Sequence, residues 1–409
     1  MDRLTNTARP YAWGSATAIP KLLGVEPTGE PQAELWMGAH PGAPSHIDRG
    51  DGLVALHHLI EADPEGELGP EAVRAFGPRL PFLLKILAAE APLSLQVHPD
   101  LPQARAGFAD EEERAVPIDA PHRTYKDAGH KPELLCALTP FDGLCGFRPM
   151  PEAAALLAGL AVDSLGPYVD TLRAGHAPDT LREVFTGILT ASRETTAATV
   201  EQAAAAAERL GAADGPYRGP YRDDYAAYAS IARHHPGDPG VIAAMLLNFV
   251  QLRPGEALYL GAGVPHAYLA GVGVEIMANS DNVLRCGLTP KHVDVPELLR
   301  IVRFEPSVPE VLRPEPVDGE EAYETPTAEF RLSRYAVADR ARIAGPVAPQ
   351  ILLCTEGRIE LHAVATGRQL TLKQGQSVFV PADAVGIGSV GAGVEVRGSG
   401  VLFRATVSV

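Results

Sequence analysis

The stretch "LSLQVHPD", residues 93–100, places two polar side chains inside an apolar run. If the run forms a β-strand, Gln96 and His98 point to the same face, about 6–7 Å apart along the chain, because strand side chains alternate. Leu95 and Val97 then point the other way, into a hydrophobic core. A solvated face, or an imidazole satisfied by a backbone carbonyl, is the simplest explanation of such a pair taken alone. On an inner strand, however, the amide and the imidazole need a polar partner.

Two later stretches supply such partners. "GHKPELL" contains His130, Lys131 and Glu133, and "GVPHAYL" contains His266. Together with the first stretch they offer the nitrogen and oxygen ligands that suit a borderline divalent cation such as Zn²⁺. Glutamine is an uncommon ligand and the sequence separations are long, so spacing alone indicates this site without establishing it. The candidate set is Gln96, His98, Glu133 and His266.

A second cluster follows His266 closely, in "GVEIMANSDNVLRCGLTPKHVD", residues 273–294. Any one of its charged residues is typical of a solvated loop with routine salt bridges, and Arg285 could simply pair with Asp281, four residues earlier. Several ionisable groups just beyond a candidate metal ligand nevertheless favour a functional site. The group consists of Glu275, Asp281, Arg285 and Lys291.

The composition limits the function classes. A chain of 409 residues predicts two or three domains. With 35 basic and 51 acidic residues the net charge is −16, which argues against nucleic acid as the main partner. Four cysteines without a CxxC pair are typical of a reducing cytoplasm. No signal peptide and no membrane span are expected from the sequence, because its apolar runs are too short.

The chain has three textures. Residues 1–150 alternate short apolar runs with glycine and proline, which predicts strands, loops and occasional helices. Residues 151–250 are rich in alanine and predict helices, including "GVIAAMLLNFVQL". From about residue 252 the strand texture returns and continues to Val409, with one helix expected at "VPELLRIV".

The two strand-rich regions contain a faint repeat. "LRPGEALYLGAGVPH", residues 252–266, aligns with "LKQGQSVFVPADAVG", residues 372–386, so that Gly255 matches Gly375. A glycine turn followed by a short strand is one step of a double-stranded β-helix, although such short patterns also recur by chance. His266 in the first copy corresponds to Gly386 in the second. We therefore expect no metal in the second copy, whose region has His362 as its only histidine and a structural or lid role.

Seven stretches in fixed order resemble the type I mannose-6-phosphate isomerases (phosphomannose isomerases) of the cupin superfamily. The long stretch 275–294 is the most specific, and the resemblance is weaker in the last 100 residues. The stretches are "YAWGS", "AELWMGAHP", "PFLLKIL", "LSLQVHPD", "HKPEL", "GAGVPHAY" and "EIMANSDNVLRCGLTPKHVD".

This resemblance implies a mainly β fold with a helical insertion. A cupin-type double-stranded β-helix, or jelly-roll, barrel would span residues 1–150 and 251–312, interrupted by a helical domain at 151–250. A second, metal-free cupin-like barrel would occupy residues 313–409. The implied enzyme is a cytoplasmic aldose–ketose isomerase of mannose metabolism, a monomer or weak homo-oligomer, that interconverts mannose 6-phosphate and fructose 6-phosphate through an enediol.

The resemblance also assigns residues. It places one Zn²⁺ per chain on Gln96, His98, Glu133 and His266, and the family's active-site arginine at Arg285. The remaining positions that line the family's pocket fall on Lys85, Ser94, His130, Lys131, Tyr268, Glu275, Asp281 and Lys291.

The chemistry leaves some roles open. Arg285 and the metal would offset charge on an enediolate, while Ser94, Lys131 and Lys291 suit phosphate or hydroxyl contacts. The general base is open among four groups, which are Glu275, Asp281, His130 and a Lys85 of lowered pKa. Two other functions also remain: an iron-dependent cupin dioxygenase that uses His98, His266 and Glu133, and a sugar-phosphate-binding or storage cupin without catalysis.

Overall fold

The structure, a computed structural model, describes residues 1–215, 217–344, 347–385 and 393–409. It is mainly β with helices, as the sequence predicts. The described strands form one sheet of eleven, one of eight and one of two strands. Within these ranges no helix is long and apolar enough to span a bilayer.

The first 150 residues hold most of the strands that build the eleven-stranded sheet. Their strands are β1 (Asp2–Arg3), β2 (Thr7–Arg9), β3 (Glu34–Met37), β4 (His46–Asp48), β5 (Leu53–Ala55), β6 (Phe82–Ala89), β7 (Leu95–Val97), β8 (Glu133–Ala137) and β9 (Phe141–Phe147). Their helices are α1 (Ala18–Leu23), α2 (Leu56–Ala62), α3 (Pro64–Leu68), α4 (Pro70–Phe76) and α5 (Leu101–Glu113).

The next hundred residues are helical, and strands dominate afterwards. The helices are α6 (Met150–Gly159), α7 (Gly166–Ala174), α8 (Asp179–Thr190), α9 (Arg193–Gly211), α10 (Arg222–His234) and α11 (Gly240–Ala244), with a 3₁₀ turn at Asp163–Leu165. The later elements are β10 (Leu247–Leu252), β11 (Ala257–Leu260), β12 (His266–Ala278), β13 (Leu284–Gly287), α12 (Val295–Ile301), β14 (Val311–Leu312), β15 (Glu321–Tyr323), β16 (Arg331–Val337), β17 (Arg340–Ile343), β18 (Gln350–Ala363), β19 (Gln369–Lys373), β20 (Ser377–Val380), α13 (Ala382–Val385) and β21 (Val394–Thr406).

The opening stretch folds as its alternation predicts. Leu95 and Val97 of β7 are fully buried against the helical layer. The strand ends at Val97, just before His98, because Asp100 starts α5 with a capping box in which Asp100 Oδ1 accepts the Gln103 N–H and Gln103 Oε1 accepts the Asp100 N–H. The imidazole is therefore held at a fixed strand–helix boundary.

Strand β12 joins the two parts of the eleven-stranded sheet. Its first residues, from His266, pair with β7 and β9, and Gly271–Ala278 pair with β6 and β8. The change of partners occurs at Gly271, whose φ of +125° disfavours other residues. A Cβ at this position would also lie 2.7 Å from the Phe141 ring. Glycine at this position thus lets one strand pair with both parts of the sheet.

The helical block packs onto β7 and β9. Phe147 of β9 contacts Phe185 of α8 edge-on, with ring centroids 5.4 Å apart. The prediction that all of "GVIAAMLLNFVQL" is helical is wrong at its end, where Leu247–Leu252 form β10 and pair with β9. The free edge of β9 imposes strand geometry there, because tertiary pairing overrides local helix propensity.

The eight-stranded sheet contains the C-terminal strands together with the N-terminal strand β1, which pairs with β20. One hydrophobic core includes side chains from both large sheets, for example Leu84 and Ile276 from the first and Leu332 and Phe403 from the second. The C-terminal region is thus packed directly against the larger sheet.

The faint sequence repeat is present in the structure. Gly255 and Gly375 have φ of +87° and +78°, and each turn leads into a four-residue strand, β11 or β20. Gly386, the counterpart of His266, lies outside the described residues.

Candidate active site

Three buried ligand-type side chains meet between β7, β8 and β12. Their donor atoms, from His98, Glu133 and His266, all lie within 4.8 Å of one another. The two His Nε2 atoms are 3.5 and 3.6 Å from the Glu133 carboxylate oxygens. In the described chain this is the one group of three or more His, Cys, Asp or Glu with such geometry.

The imidazoles are oriented by backbone carbonyls. His98 Nδ1–H donates to Asn282 O and His266 Nδ1–H to Val264 O, each at 2.9 Å. This fixes the tautomer that leaves each Nε2 as a lone-pair donor. Both Nε2 atoms and Glu133 Oε2 are buried, and none of the three has a hydrogen-bond partner among the described residues. Orphaned donor atoms of this kind are what a bound cation would satisfy.

The electrostatics of the group match this geometry. Burial lowers the pKa of His98 to about 4, because desolvation outweighs the attraction of Glu133. Burial alone would raise the pKa of Glu133, but the charges of Lys131 and His98 hold it well below its ordinary range. A neutral imidazole and an ionised carboxylate are the forms that ligate metals.

Strand register brings two further predicted residues beside this group. Gln96 lies opposite His266 on one side of β7 and opposite Arg285 on the other. Directly paired residues have Cβ atoms about 4.5–5.5 Å apart on one face. The amide therefore lies between the histidine and the guanidinium.

Above the cluster is a cavity of about 650 Å³. His98 and His266 are buried beneath it, at 1% and 0% exposure, and do not reach its wall. Ten of the sequence-predicted residues line it: Lys85, Ser94, Gln96, Lys131, Glu133, Tyr268, Glu275, Asp281, Arg285 and Lys291.

One wall of the cavity carries a buried ionic network. Lys85 Nζ lies 2.9 Å from Glu275 Oε2 and 3.5 Å from Glu34 Oε1, and Trp36 Nε1–H donates to Glu34 Oε2 at 2.7 Å. The expectation that Lys85 has a lowered pKa is wrong. Burial lowers its pKa, but the carboxylates of Glu275, Glu34 and Glu133 outweigh it and keep the ammonium charged. For Glu275 itself, burial is the largest effect, and the pKa is raised despite Lys85.

Two further cations, Arg285 and Lys291, line the cavity. Across the described ranges neither Arg285 nor Lys291 forms a side-chain hydrogen bond or ion pair. The pKa of Lys291 is lowered, first by the charge of Arg285 and then by burial. The alternative of an Arg285–Asp281 pair is not realised, because Asp281 Oδ2 instead lies 3.2 Å from His40 Nε2. A half-buried Arg285 and an exposed Lys291, with no carboxylate partner in the described part of the chain, form a place for an anion.

Comparisons with known proteins agree with these features. Residues 1–150 match the model of the catalytic domain of type I phosphomannose isomerase. The chain is 40% identical to the mannose-6-phosphate isomerase of Escherichia coli over 410 residues, 99% of each chain. It is 32% identical to that of Homo sapiens over 411 residues, 93% of each. The chain belongs to the mannose-6-phosphate isomerase family.

Solved structures of the mannose-6-phosphate isomerase family have the same architecture. A mutant of phosphomannose isomerase from Salmonella typhimurium superposes with a TM-score of 0.90 at 37% identity, over all of both chains. A zinc-bound mannose 6-phosphate isomerase superposes with a TM-score of 0.88 at 37% identity, covering 100% of this chain and 99% of that one.

One position that the family resemblance assigns to the pocket lies elsewhere. His130 Nε2 is 2.7 Å from Glu329 Oε1, and the side chain does not line the cavity. Glu329 is 199 residues away in sequence, so local spacing could not reveal this partner. The imidazole connects the first region to the C-terminal one rather than facing the space above the ligands.

Sequence reasoning missed residues that support the site. Asn282 is completely buried, and its side-chain amide donates to the carbonyls of Asp127 and Gly129 while its own carbonyl accepts from His98. Glu34 and His40 lie in "AELWMGAHP", a stretch recognised only as a family motif. The sequence signal at Glu34 was a polar side chain alternating with apolar ones, the same signal that singled out Gln96.

Proposed function

We propose that this protein is a zinc-dependent aldose–ketose isomerase that interconverts mannose 6-phosphate and fructose 6-phosphate through an enediol. One observation carries the proposal: metal-ligand atoms that have no hydrogen-bond partner in the described structure lie beneath a cavity lined by two cations that are likewise unpaired there. Membership of the mannose-6-phosphate isomerase family supplies the reaction. A metal held by these ligand atoms would suit sugar oxygens, and the two cations would suit a phosphate or a developing oxyanion.

The donor set fits zinc. Two neutral imidazoles and one carboxylate are supplied by His98, His266 and Glu133, and the Gln96 amide oxygen on the neighbouring strand would complete four ligands. When bound, zinc would supply a Lewis acid and a template for the sugar hydroxyl and carbonyl oxygens. Lys131, whose Nζ lies 3.3 Å from Glu133 Oε1, would keep the carboxylate ionised.

Charge stabilisation falls to Arg285 in this proposal. Its guanidinium has no internal partner in the described structure, and its β-strand partner Gln96 places it beside the ligand group. A preorganised cation next to developing negative charge lowers the barrier without reorganising. Lys291 lies farther along the same wall and, with Ser94, would bind phosphate or hydroxyl oxygens.

Proton transfer between C1 and C2 is assigned to Glu275. Burial raises the pKa of this carboxyl, which makes it a stronger base than an exposed glutamate. Lys85, whose charged Nζ lies 2.9 Å from Glu275 Oε2, would orient the carboxylate toward the substrate. Asp281 has a lowered pKa, chiefly through its hydrogen bond with His40, which suits an acceptor for sugar hydroxyls better than a base.

The finer features of the fold are also proposed. The repeated glycine-turn and strand step supports two cupin-type double-stranded β-helices, a catalytic one over residues 1–150 and 251–312 and a metal-free one over 313–409. The helical region 151–250 would be an insertion into the first. Four buried cysteines without disulfides support a cytoplasmic setting.

Metal analysis combined with a coupled isomerisation assay tests the function. Purified protein should contain one zinc per chain and turn over mannose 6-phosphate. Chelation should abolish activity, and Zn²⁺ should restore it. His362→Ala, a change in the C-terminal region, is the matched control and should alter neither quantity. Full activity after exhaustive metal removal contradicts the zinc assignment, and oxygen consumption with bound iron would instead indicate a dioxygenase. Sugar-phosphate binding without turnover would indicate a storage protein.

A further inference from the structure

His40 lies behind the catalytic cavity and contacts one of its wall residues. Asp281 lines both the main cavity and a second cavity of about 390 Å³, whereas His40 lines the second alone. His40 Nε2 and Asp281 Oδ2 are 3.2 Å apart. The imidazole therefore reaches the carboxylate from the side away from the space where the substrate would bind.

The hydrogen bonds of His40 define its tautomer. The Gly42 N–H donates to His40 Nδ1 at 3.0 Å, so this nitrogen carries the lone pair. Nε2 then carries the hydrogen and lies 3.2 Å from Asp281 Oδ2, within reach of the carboxylate. The ring also packs edge-on against Trp36, with centroids 4.9 Å apart, and the residue is 8% exposed. A buried ring held on two sides can fix the rotamer of the carboxylate it contacts.

Asp281 is held at one oxygen only. Its backbone N–H donates to Asp127 Oδ2 at 2.8 Å, which anchors the main chain. His40 holds Oδ2, and in the described structure Oδ1 has no hydrogen-bond partner. The side chain is about half exposed (51%) at the cavity wall. One carboxylate oxygen is thus fixed, and the other is presented to a ligand.

We propose that His40 is a positioning residue that aims Asp281 at a hydroxyl group of the sugar. This rests on the proposed isomerase function, and it assigns His40 to substrate recognition through Asp281 rather than to contact with substrate or metal. The hydrogen bond from His40 also contributes most to the lowered pKa of Asp281, which keeps this carboxylate an acceptor. Without His40, the half-exposed side chain would sample several rotamers.

The kinetic test uses His40→Ala and His40→Gln. Glutamine carries an N–H near the place of imidazole Nε2, whereas asparagine is too short. His40→Ala should lower kcat/KM about tenfold or more, the usual effect of losing a hydrogen bond to a charged group. His40→Gln should recover most of this loss and His40→Asn should not. His57→Ala is the control: it lines the same second cavity without contacting Asp281 and should be neutral.

A double-mutant cycle separates positioning from mere folding. In the Asp281→Asn background, His40→Ala should cost little further kcat/KM, because the group it aims has already lost its charge. An equal loss in both backgrounds, or no loss in the wild type, overturns the proposal. Zinc content and melting temperature of each variant are measured in parallel. A wild-type protein without isomerase activity would refute the function itself, a different outcome from an active enzyme indifferent to His40.

Discussion

Strands β12 and β21 occupy comparable places in the two large sheets. Each is thirteen residues long and each pairs with several neighbours, β12 with four strands and β21 with three. Buried polar groups on β12 include His266, whose Nε2 lies 3.6 Å from Glu133 Oε2, and Glu275, whose Oε2 lies 2.9 Å from Lys85 Nζ. On β21 the buried cation is Arg404, which donates to Gln350 Oε1 at 2.8 Å and lies 3.6 Å from Glu320. A similar strand thus serves a reactive centre in one sheet and internal structure in the other.

The difference lies in how the unsatisfied buried atoms are arranged, because in the described structure Arg404 Nη2 on β21 also lacks a hydrogen-bond partner. Around β12, ligand atoms of His98, Glu133 and His266 converge within 4.8 Å, and the cations that line the same cavity have no carboxylate partner among the described residues. In the described C-terminal residues, the side chain of His362 is about one-third exposed and its ion-pair partner is Glu395, at 3.7 Å. Strand geometry permits a metal site in either sheet, and the identity of a few inward side chains decides where it forms.

The largest expected effect comes from Glu133, the one charged member of the ligand group. Glu133→Ala should abolish tight zinc binding and lower kcat/KM by more than about 100-fold, because losing groups that support a metal site already costs 10–100-fold. Glu395→Ala, beside His362 in the C-terminal region, should leave zinc content and activity unchanged. Normal zinc content in Glu133→Ala, or zinc loss in Glu395→Ala, would break the contrast between the two regions.

Arg285 should show the second largest effect. Arg285→Ala should lower kcat about 100-fold with a modest change in KM, because a preorganised cation acts mainly in the transition state. Arg285→Lys keeps the charge but loses the planar fork, so nearly full rescue would indicate a simple anchor. Arg404→Ala, which removes the buried cation of β21, should lower thermal stability and leave kcat of the folded fraction intact. An unchanged kcat in Arg285→Ala would end the catalytic assignment.

Local features of the fold were predictable, and long-range electrostatics were not. The alternation that orients Gln96 is written in four consecutive residues, and it is present in β7. The pKa of Lys85 depends on Glu34 and Glu275, which are 51 and 190 residues away. The helical prediction failed for β10 because its partner β9 is about 100 residues earlier.

In the candidate site, too, local features were predictable and long-range contacts were not. The ligand set and the cluster of Glu275, Asp281, Arg285 and Lys291 were picked out by residue type and spacing, and the other candidates through motifs of the mannose-6-phosphate isomerase family. Ten of the candidates line the cavity. His130 does not, because Glu329, which binds it, belongs to a distant segment. His40 and Asn282 were missed because their roles are defined by the residues they hold, Asp281 and His98. No pattern within a single stretch of sequence shows such a pairing.

Buried His98 predicts a pH dependence of stability in the metal-free protein. Its pKa is about 4 when folded and ordinarily 6.5, so between these values the unfolded chain binds more protons and stability falls as the pH drops. From pH 7 to pH 5 the free energy of unfolding should fall by about 2 kcal/mol from this group. His98→Gln should remove that part of the slope in urea titrations, whereas His362→Gln should not. Equal slopes in all three proteins would refute the burial argument.

Lys291 should give the smallest effect, and its variants should distinguish its role from that of Arg285. The structure shows it exposed at the cavity rim, with Arg285 as the main cause of its lowered pKa. If it binds phosphate equally in ground and transition states, Lys291→Ala should raise KM about tenfold and leave kcat nearly unchanged. Lys291→Arg should restore KM, since a cation is kept. Lys373→Ala, an exposed lysine of the C-terminal sheet, is the matched control and should change neither constant. A fall in kcat comparable to that of Arg285→Ala would mean that both cations stabilise the enediolate and that the wall acts as one unit.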